Sequence, residues 1–252
     1  MHFTLLALLA LSPAQSAADL REKYTKYEYR VPVRDGTRLF TAVYVPKDAG
    51  PDKRYPILLT RTPYSAAPYG VDQFPDRLRP GAHLSAAGYI FAVQDVRGQW
   101  MSEGKFENMR PHNPAKKDKE FDESSDTFDS IDWLLKHVPH HTGKVGQTGV
   151  SYPGFYTVCG MIDAHPALVC ASPQAPVTDW FAGDDFHHNG ALFLPHCFNF
   201  MANFGKTVSG PLKKWPHPSF DHGTPDGYQF FRDLGPLKYA DPKFLKGDVG
   251  FW

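Results

Sequence analysis

Over most of the chain, short apolar runs alternate with amphipathic stretches. Glu28 to Val33 and Arg38 to Val45 are β-prone runs separated by Asp35-Gly36, a turn pair that predicts an antiparallel hairpin. Ile57 to Thr60, Tyr89 to Val93 and Lys144 to Thr148 are short and poor in charge, the pattern of central strands covered on both faces. Between them Ser124 to Val138 places Phe128, Ile131, Trp133, Leu134, Leu135 and Val138 on a broad apolar stripe, which predicts a helix capped by Ser124 or Ser125. Asp76 to Ala87 is a weaker helical pattern. A further helix is expected from Gly154 to Ala164, ending before Pro166, with Leu168 to Ala171 as the next strand. This alternation predicts an α/β fold with a mostly parallel sheet and helices on both faces.

Beyond Pro173 the texture changes. The chain there holds no isoleucine, and valine occurs only at Val177, Val208 and Val249, amid many Phe, His, Pro and Gly residues. Central parallel strands are not built from such sequence. Short helices such as Asp226 to Asp233 are expected instead, in a partial cap or lid over the sheet edge. The organisation expected is a leader over residues 1–18, a core over residues 19–179 and the cap over residues 180–252.

The leader changes the expected compartment. An apolar run from Phe3 to Leu11 is followed by the small residues Ser16, Ala17 and Ala18, a pattern that predicts export, secreted or periplasmic. That run is too short for a membrane anchor, which needs about 20 apolar residues. The formal net charge is zero and the basic residues are dispersed, so nothing marks a nucleic-acid surface, and small molecules are the expected partners. Oligomeric state is not legible. Cys159, Cys170 and Cys197 are odd in number and form no CxxC pair; buried free thiols are the default expectation, with oxidation of one pair left open.

The sharpest chemical signal is Gly149-Val150-Ser151-Tyr152-Pro153-Gly154, lying between a predicted strand and a predicted helix. A serine in that turn is held with its hydroxyl exposed above the carboxyl end of the sheet, and the flanking glycines let strand and helix approach. The helix N-terminus behind it favours negative charge on a tetrahedral intermediate. Pro153 displaces the second glycine by one position from the plain GxSxG spacing.

Four ordered segments together resemble the X-Pro dipeptidyl-peptidase-like (peptidase S15-type) acyl hydrolases, which include cocaine esterase and the α-amino acid ester hydrolases. They are the elbow Gly149 to Gly154, the RDGxxL segment Arg34 to Leu39, Arg61-Thr62-Pro63-Tyr64, and the DVRGxxxSEG segment Asp95 to Gly104. The resemblance implies an α/β-hydrolase core and acyl transfer on an ester or amide without a cofactor. It implies Ser151 as nucleophile, with the Tyr152 backbone N–H and the Tyr64 hydroxyl as oxyanion donors. For Asp95, Arg97 and Glu103 it implies a structural role near the active face; ion pairing is expected there, with carboxylates held by arginine and shifted to lower pKa.

The stretch Asp184 to Ala191 concentrates ionisable groups, and three readings compete for it. By resemblance to the α-amino acid ester hydrolases, Asp185, or else Asp184, would bind a substrate α-ammonium. Alternatively Asp185, His187, His188 and His196 would hold a metal, although their spacing matches no HExxH-like arrangement and no metal site is assigned. The third reading is a hydrogen-bonded lining of the cap. Trp180, Phe181, Phe186 and Phe193 point to an apolar or aromatic acyl pocket.

The triad order on such folds is serine, acid, histidine. The resemblance implies that the acid and histidine fall after Trp252, so that this chain alone is weakly active or inactive. A compact triad from Asp179 with His187, His188, His196, His217 or His222 remains arithmetically open. The alternative from another class is a degenerate hydrolase domain that binds without turnover.

Overall fold

The computed structural model describes residues 16–179, 182–183, 185–203, 206–212, 216 and 220–245. The expected leader therefore lies outside the described residues except at its end, where Ser16 caps helix α1 (Ala17–Lys23) in a reciprocal box with Asp19. Leu20 of α1 is fully buried beside Tyr24, so the helix is anchored to the sheet by one apolar contact face. Among the described residues no helix is long and apolar enough to cross a membrane.

The hairpin forms as expected and extends further at its open end. Strands β1 (Tyr24–Pro32) and β2 (Arg38–Pro46) pair antiparallel, from Tyr24 opposite Pro46 to Pro32 opposite Arg38. The chain then builds β3 (Tyr55–Thr62), α2 (Ala82–Ala87), β4 (Ile90–Asp95), α3 (Glu123–His137), β5 (His141–Val150), α4 (Tyr152–Met161) and β6 (Leu168–Gln174). The sheet order is β1-β2-β4-β3-β5-β6. Strand β2 joins β4 antiparallel, while β4, β3, β5 and β6 run parallel, so the mostly parallel α/β architecture is present.

Strand alternation divides the core into two layers. Val43, Val45, Ile57, Leu59 and Ala92 face α3 through Ile131, Leu134 and Val138. Ala42, Tyr44, Leu58 and Phe91 face the opposite side, against Leu20, Tyr24 and Leu78.

Three local expectations need correction. The cap of α3 is Asp122, whose carboxylate accepts the Ser125 N–H at 2.8 Å while the Ser125 hydroxyl accepts the Asp122 N–H at 2.9 Å; Ser125 is the third helical residue of the box. The helix expected over Asp76 to Ala87 is confined to α2, because Pro80 and Gly81 interrupt the pattern before it. Cys170 is exposed, unlike Cys159 and Cys197, because it lies on β6, which among the described residues pairs on one side only.

The segment after β6 carries a hairpin of two two-residue strands, β7 (His187–His188) and β8 (Ala191–Leu192), then α5 (Leu194–Asn203) and α6 (Gly227–Leu234). Its apolar centre is built from rings. Phe198 is fully buried, with ring centroids of Phe220 at 4.7 Å, Phe230 at 5.5 Å and Phe231 at 5.6 Å. That aromatic cluster explains how sequence without isoleucine still forms an interior. Asp226 caps α6, in line with the short helix expected there.

Candidate active site

Strand β5 ends at Val150, and Ser151 turns the chain into α4 with φ 63° and ψ −126°, a conformation an L-residue rarely adopts. The turn needs both neighbouring glycines. A Cβ on Gly149 would meet the Pro153 carbonyl oxygen at 2.1 Å, and one on Gly154 would meet the Gln174 carbonyl oxygen at 2.6 Å. Main-chain bonds lock the turn: the Ser151 N–H donates to Gln174 at 2.9 Å, and Phe155 N–H to Ser151 at 3.1 Å. The Ser151 side chain is left exposed.

Tyr152 follows with its ring buried. Its hydroxyl donates to Asn108 Oδ1 at 2.5 Å and accepts the Met109 N–H at 2.8 Å, and the ring stacks on Tyr156 at 5.1 Å. Pinning the ring fixes the direction of the Tyr152 backbone N–H. That N–H and the Ser151 hydroxyl are the two hydrogen-bonding neighbours that act on the Tyr64 phenol. Desolvation raises the Tyr64 pKa above its ordinary value, the two hydrogen bonds oppose the rise, and the nearby Asp185 charge adds to it. At neutral pH the phenol therefore keeps its proton and remains a donor. The Tyr64 and Tyr152 rings meet edge to face at 6.3 Å.

The loop that presents Tyr64 is tied down along its length. Tyr64 N–H donates to Thr62 Oγ1 at 3.0 Å, and the Trp100 indole N–H donates to the Pro63 carbonyl at 2.8 Å. The buried Lys26 ammonium donates to the Pro68 and Gly70 carbonyls at 2.5 and 2.8 Å, while Glu28 accepts the Gly70 N–H at 2.6 Å. Trp100 also connects outward: its N–H donates to Val208 at 2.5 Å, and its carbonyl accepts from Gly210 at 2.9 Å. The Gln99 side chain bridges Lys206 and Val208 in the same place.

The charged segment after β4 divides into two environments. Arg97 meets Asp126 at 2.7 Å and Asp35 at 2.7 Å and lies over the Phe121 ring at 3.6 Å. Burial raises the Asp35 carboxyl, and hydrogen bonds from Arg97 and Thr37 more than reverse that, leaving it below its ordinary value. Glu103 pairs with Arg38, which lowers its pKa as expected. Asp95 departs from the expectation. It accepts from Ala66 N–H at 2.6 Å, Tyr69 hydroxyl at 3.0 Å and Met101 N–H at 3.3 Å, and among the described residues no ion pair joins it to an arginine. Burial pushes its pKa up to about 7. Neutral donors do not offset the desolvation of a carboxylate as a guanidinium would.

A cavity of about 540 Å³ is lined by Pro176, Thr178, Asp185, Phe193 and His196 among others. Phe186, expected to contact substrate, is instead 2% exposed and packed on Phe200 at 5.6 Å, because its position before the hairpin turns it into the ring cluster; Phe193 takes the wall. Asp184, Trp180, Phe181 and His217 lie outside the described residues. His187 and His188 sit on the β7–β8 hairpin around Asn189-Gly190, a turn signal that reading them as ligands passed over. His222 belongs to the phenylalanine cluster, 4.8 Å from Phe230. Among the described residues no histidine hydrogen-bonds to Ser151, and no group of three or more His, Cys, Asp or Glu is placed to hold a metal.

Comparison with known proteins finds relatives by sequence and by fold. The family model described as X-Pro dipeptidyl-peptidase (S15 family) matches residues 35–217. The chain is 29% identical over 175 residues to cocaine esterase from Rhodococcus sp. (strain MB1 Bresler), an alignment covering 69% of this chain and 28% of that protein. Among solved structures it is similar to an α-amino acid ester hydrolase, with 32% identity and a TM-score of 0.76, and to an aminopeptidase from a marine sediment Thaumarchaeota archaeon, with 30% identity and a TM-score of 0.73. Each of those matches covers 100% of this chain and 40% of the other, so the chain spans well under half the length of these relatives.

Proposed function

Because the chain belongs to the X-Pro dipeptidyl-peptidase (S15) family, we propose that it carries the nucleophile and oxyanion hole of an exported serine esterase or amidase. Family membership supports hydrolase chemistry, and one observation carries the finer reading: the Ser151 hydroxyl, the Tyr152 N–H and the Tyr64 phenol converge at a strained elbow. In this reaction Ser151 Oγ attacks the carbonyl carbon of an ester or amide and the carbonyl oxygen becomes an alkoxide. Tyr152 N–H and Tyr64 O–H donate to it. Collapse expels the alcohol or amine, and water releases the acyl group. Loss of one such donor costs on the order of 3 kcal/mol of barrier.

An imidazole must take the Ser151 proton, and we assign that base and its carboxylate to polypeptide outside the described residues. The segment from residue 180 onward acts as a cap in this reading. Asp185, on the cavity wall and close enough to act on Tyr64, suits a substrate bearing an ammonium group, a preference in keeping with relatives named for amino acid esters and aminopeptidase activity.

The test is labelling with a fluorophosphonate probe, read by intact mass beside Ser151→Ala. Slow labelling by this chain that rises once the remaining portion of a full-length relative is supplied supports the enzyme reading. Saturable ligand binding with no labelling even then replaces it with a binding domain that has lost turnover.

A further inference from the structure

Asp95 is the last residue of β4 and pairs in register with Thr62, the last residue of β3, from which the Tyr64 loop departs. Its side chain is fully buried. Oδ1 accepts the Ala66 N–H, and Oδ2 accepts the Tyr69 hydroxyl and the Met101 N–H. Its main-chain carbonyl accepts the Ser102 hydroxyl at 2.6 Å. The Tyr69 hydroxyl in turn meets Ser65 Oγ at 2.9 Å, and Ser65 holds φ 113°, a region that L side chains rarely enter. Ser65 directly follows Tyr64. One carboxylate thus grips the loop at Ala66 and Tyr69, directly after a strained residue that adjoins the phenol.

We propose that Asp95 is a positioning residue for the reaction, whose carboxylate sets the backbone at Ser65 and Ala66 and thereby aims the Tyr64 phenol at Ser151. The proposal rests on the reading of Tyr64 as an oxyanion donor. A carboxylate is suited to the task because both oxygens accept. An asparagine cannot replace it: whichever way the amide is turned, its NH2 faces either Ala66 N–H or Met101 N–H, donor against donor.

The same geometry brings pH dependence. Asp95 titrates at about 7, with burial as the main cause, and the groups facing it are the Tyr69 phenol from the loop and, at longer range, Arg30 from β1. Tyr69 is itself raised above its ordinary value by burial and by Asp95, so it stays protonated throughout. Below pH 7 the protonated carboxyl loses one acceptor position, and the loop must adjust.

The experiment is nuclear magnetic resonance of the full chain carrying 13Cζ-tyrosine, from pH 5 to 9, with Tyr64 assigned by Tyr64→Phe and amide exchange followed at Ala66. The Tyr64 signal is expected to shift with the midpoint of the Asp95 carboxyl. In Asp95→Asn that titration disappears and Ala66 exchanges about tenfold faster or more. A folded Asp95→Asn protein with the Tyr64 titration intact overturns the proposal. If Asp95→Asn does not fold, Tyr69→Phe decides: it removes the hydroxyl that links Asp95 to Ser65 while leaving the Ala66 and Met101 N–H groups on the carboxylate, and an unmoved Tyr64 signal is the overturning result. None of these readouts needs turnover. Failure of the oxyanion reading shows separately, as Tyr64→Phe that leaves Ser151 reactivity unchanged in a complete enzyme.

Discussion

The Trp100 indole N–H donates to the carbonyl of Pro63 at 2.8 Å, one residue ahead of Tyr64, while the Trp100 main chain is bonded to Val208 and Gly210. The same residue therefore touches both the loop bearing the proposed oxyanion donor and the segment that would cap the site. Trp100→Phe keeps the main-chain bonds and most of the ring volume, but leaves a buried carbonyl without this donor. A loss of about 1–3 kcal/mol in stability is expected. Urea denaturation measures it, and a slower probe reaction at Ser151 in a complete enzyme distinguishes loop displacement from mere softening.

Gly149 tolerates no side chain. Its Cβ would fall 2.1 Å from a main-chain oxygen of α4, an obstruction that cannot rotate away. Gly149→Ala is expected to destabilise the fold by more than about 4 kcal/mol and to abolish labelling of Ser151. A thermal midpoint near that of the parent would contradict the elbow geometry.

Ser151 itself is the opposite case. With φ at 63°, replacement by glycine relieves a conformation that costs an L-residue energy. Ser151→Gly is expected to raise stability by about 1 kcal/mol while removing the proposed nucleophile. Calorimetry on the two proteins checks the sign.

The pH dependence of stability has an unusual component. Asp95 titrates at about 7 in the fold against 3.8 as a free side chain. Between those values the folded protein keeps a proton that the unfolded chain has lost, so this contribution is complete below about pH 4 and is lost as pH rises through 7. Glu103 and Asp35, both lowered, act the other way and lose their contribution as pH falls through their folded values. Denaturation midpoints at pH 5 and pH 8 are expected to converge in Asp95→Asn relative to the parent.

Much of this was legible in the sequence because it is local. The Asp35-Gly36 turn, the apolar runs of β3 to β5 and the glycines around Ser151 carry their geometry within a few residues of themselves. The ion pairing expected of Asp95, Arg97 and Glu103 holds for Arg97 and Glu103 and fails for Asp95. The partners of Asp95 and Arg97 are distant: Ala66 lies 29 residues before Asp95, and Asp126 lies 29 after Arg97. The strand end sends the two side chains into different surroundings, and no local pattern records that. The exposure of Cys170 depends likewise on what pairs with β6, and Phe186 joins the ring cluster although an aromatic in a polar stretch looks the same whether it faces a ligand or other rings.

The aromatic interior behind α5 has a consequence for how substrate range can change. Phe200 is the ring shared between that interior and the apolar cluster beneath Tyr152 and Tyr156. Apart from that ring and the hydrogen bonds between Gln99 or Trp100 and residues 206–210, the interior formed by the described residues of this segment is made of its own side chains. Phe193 and His196 can therefore be exchanged for other side chains at the cavity wall without disturbing the turn that holds Ser151. In the proposed reaction, selectivity and reactivity are thus written at separate addresses in one chain, and Phe200 is the point where the two meet.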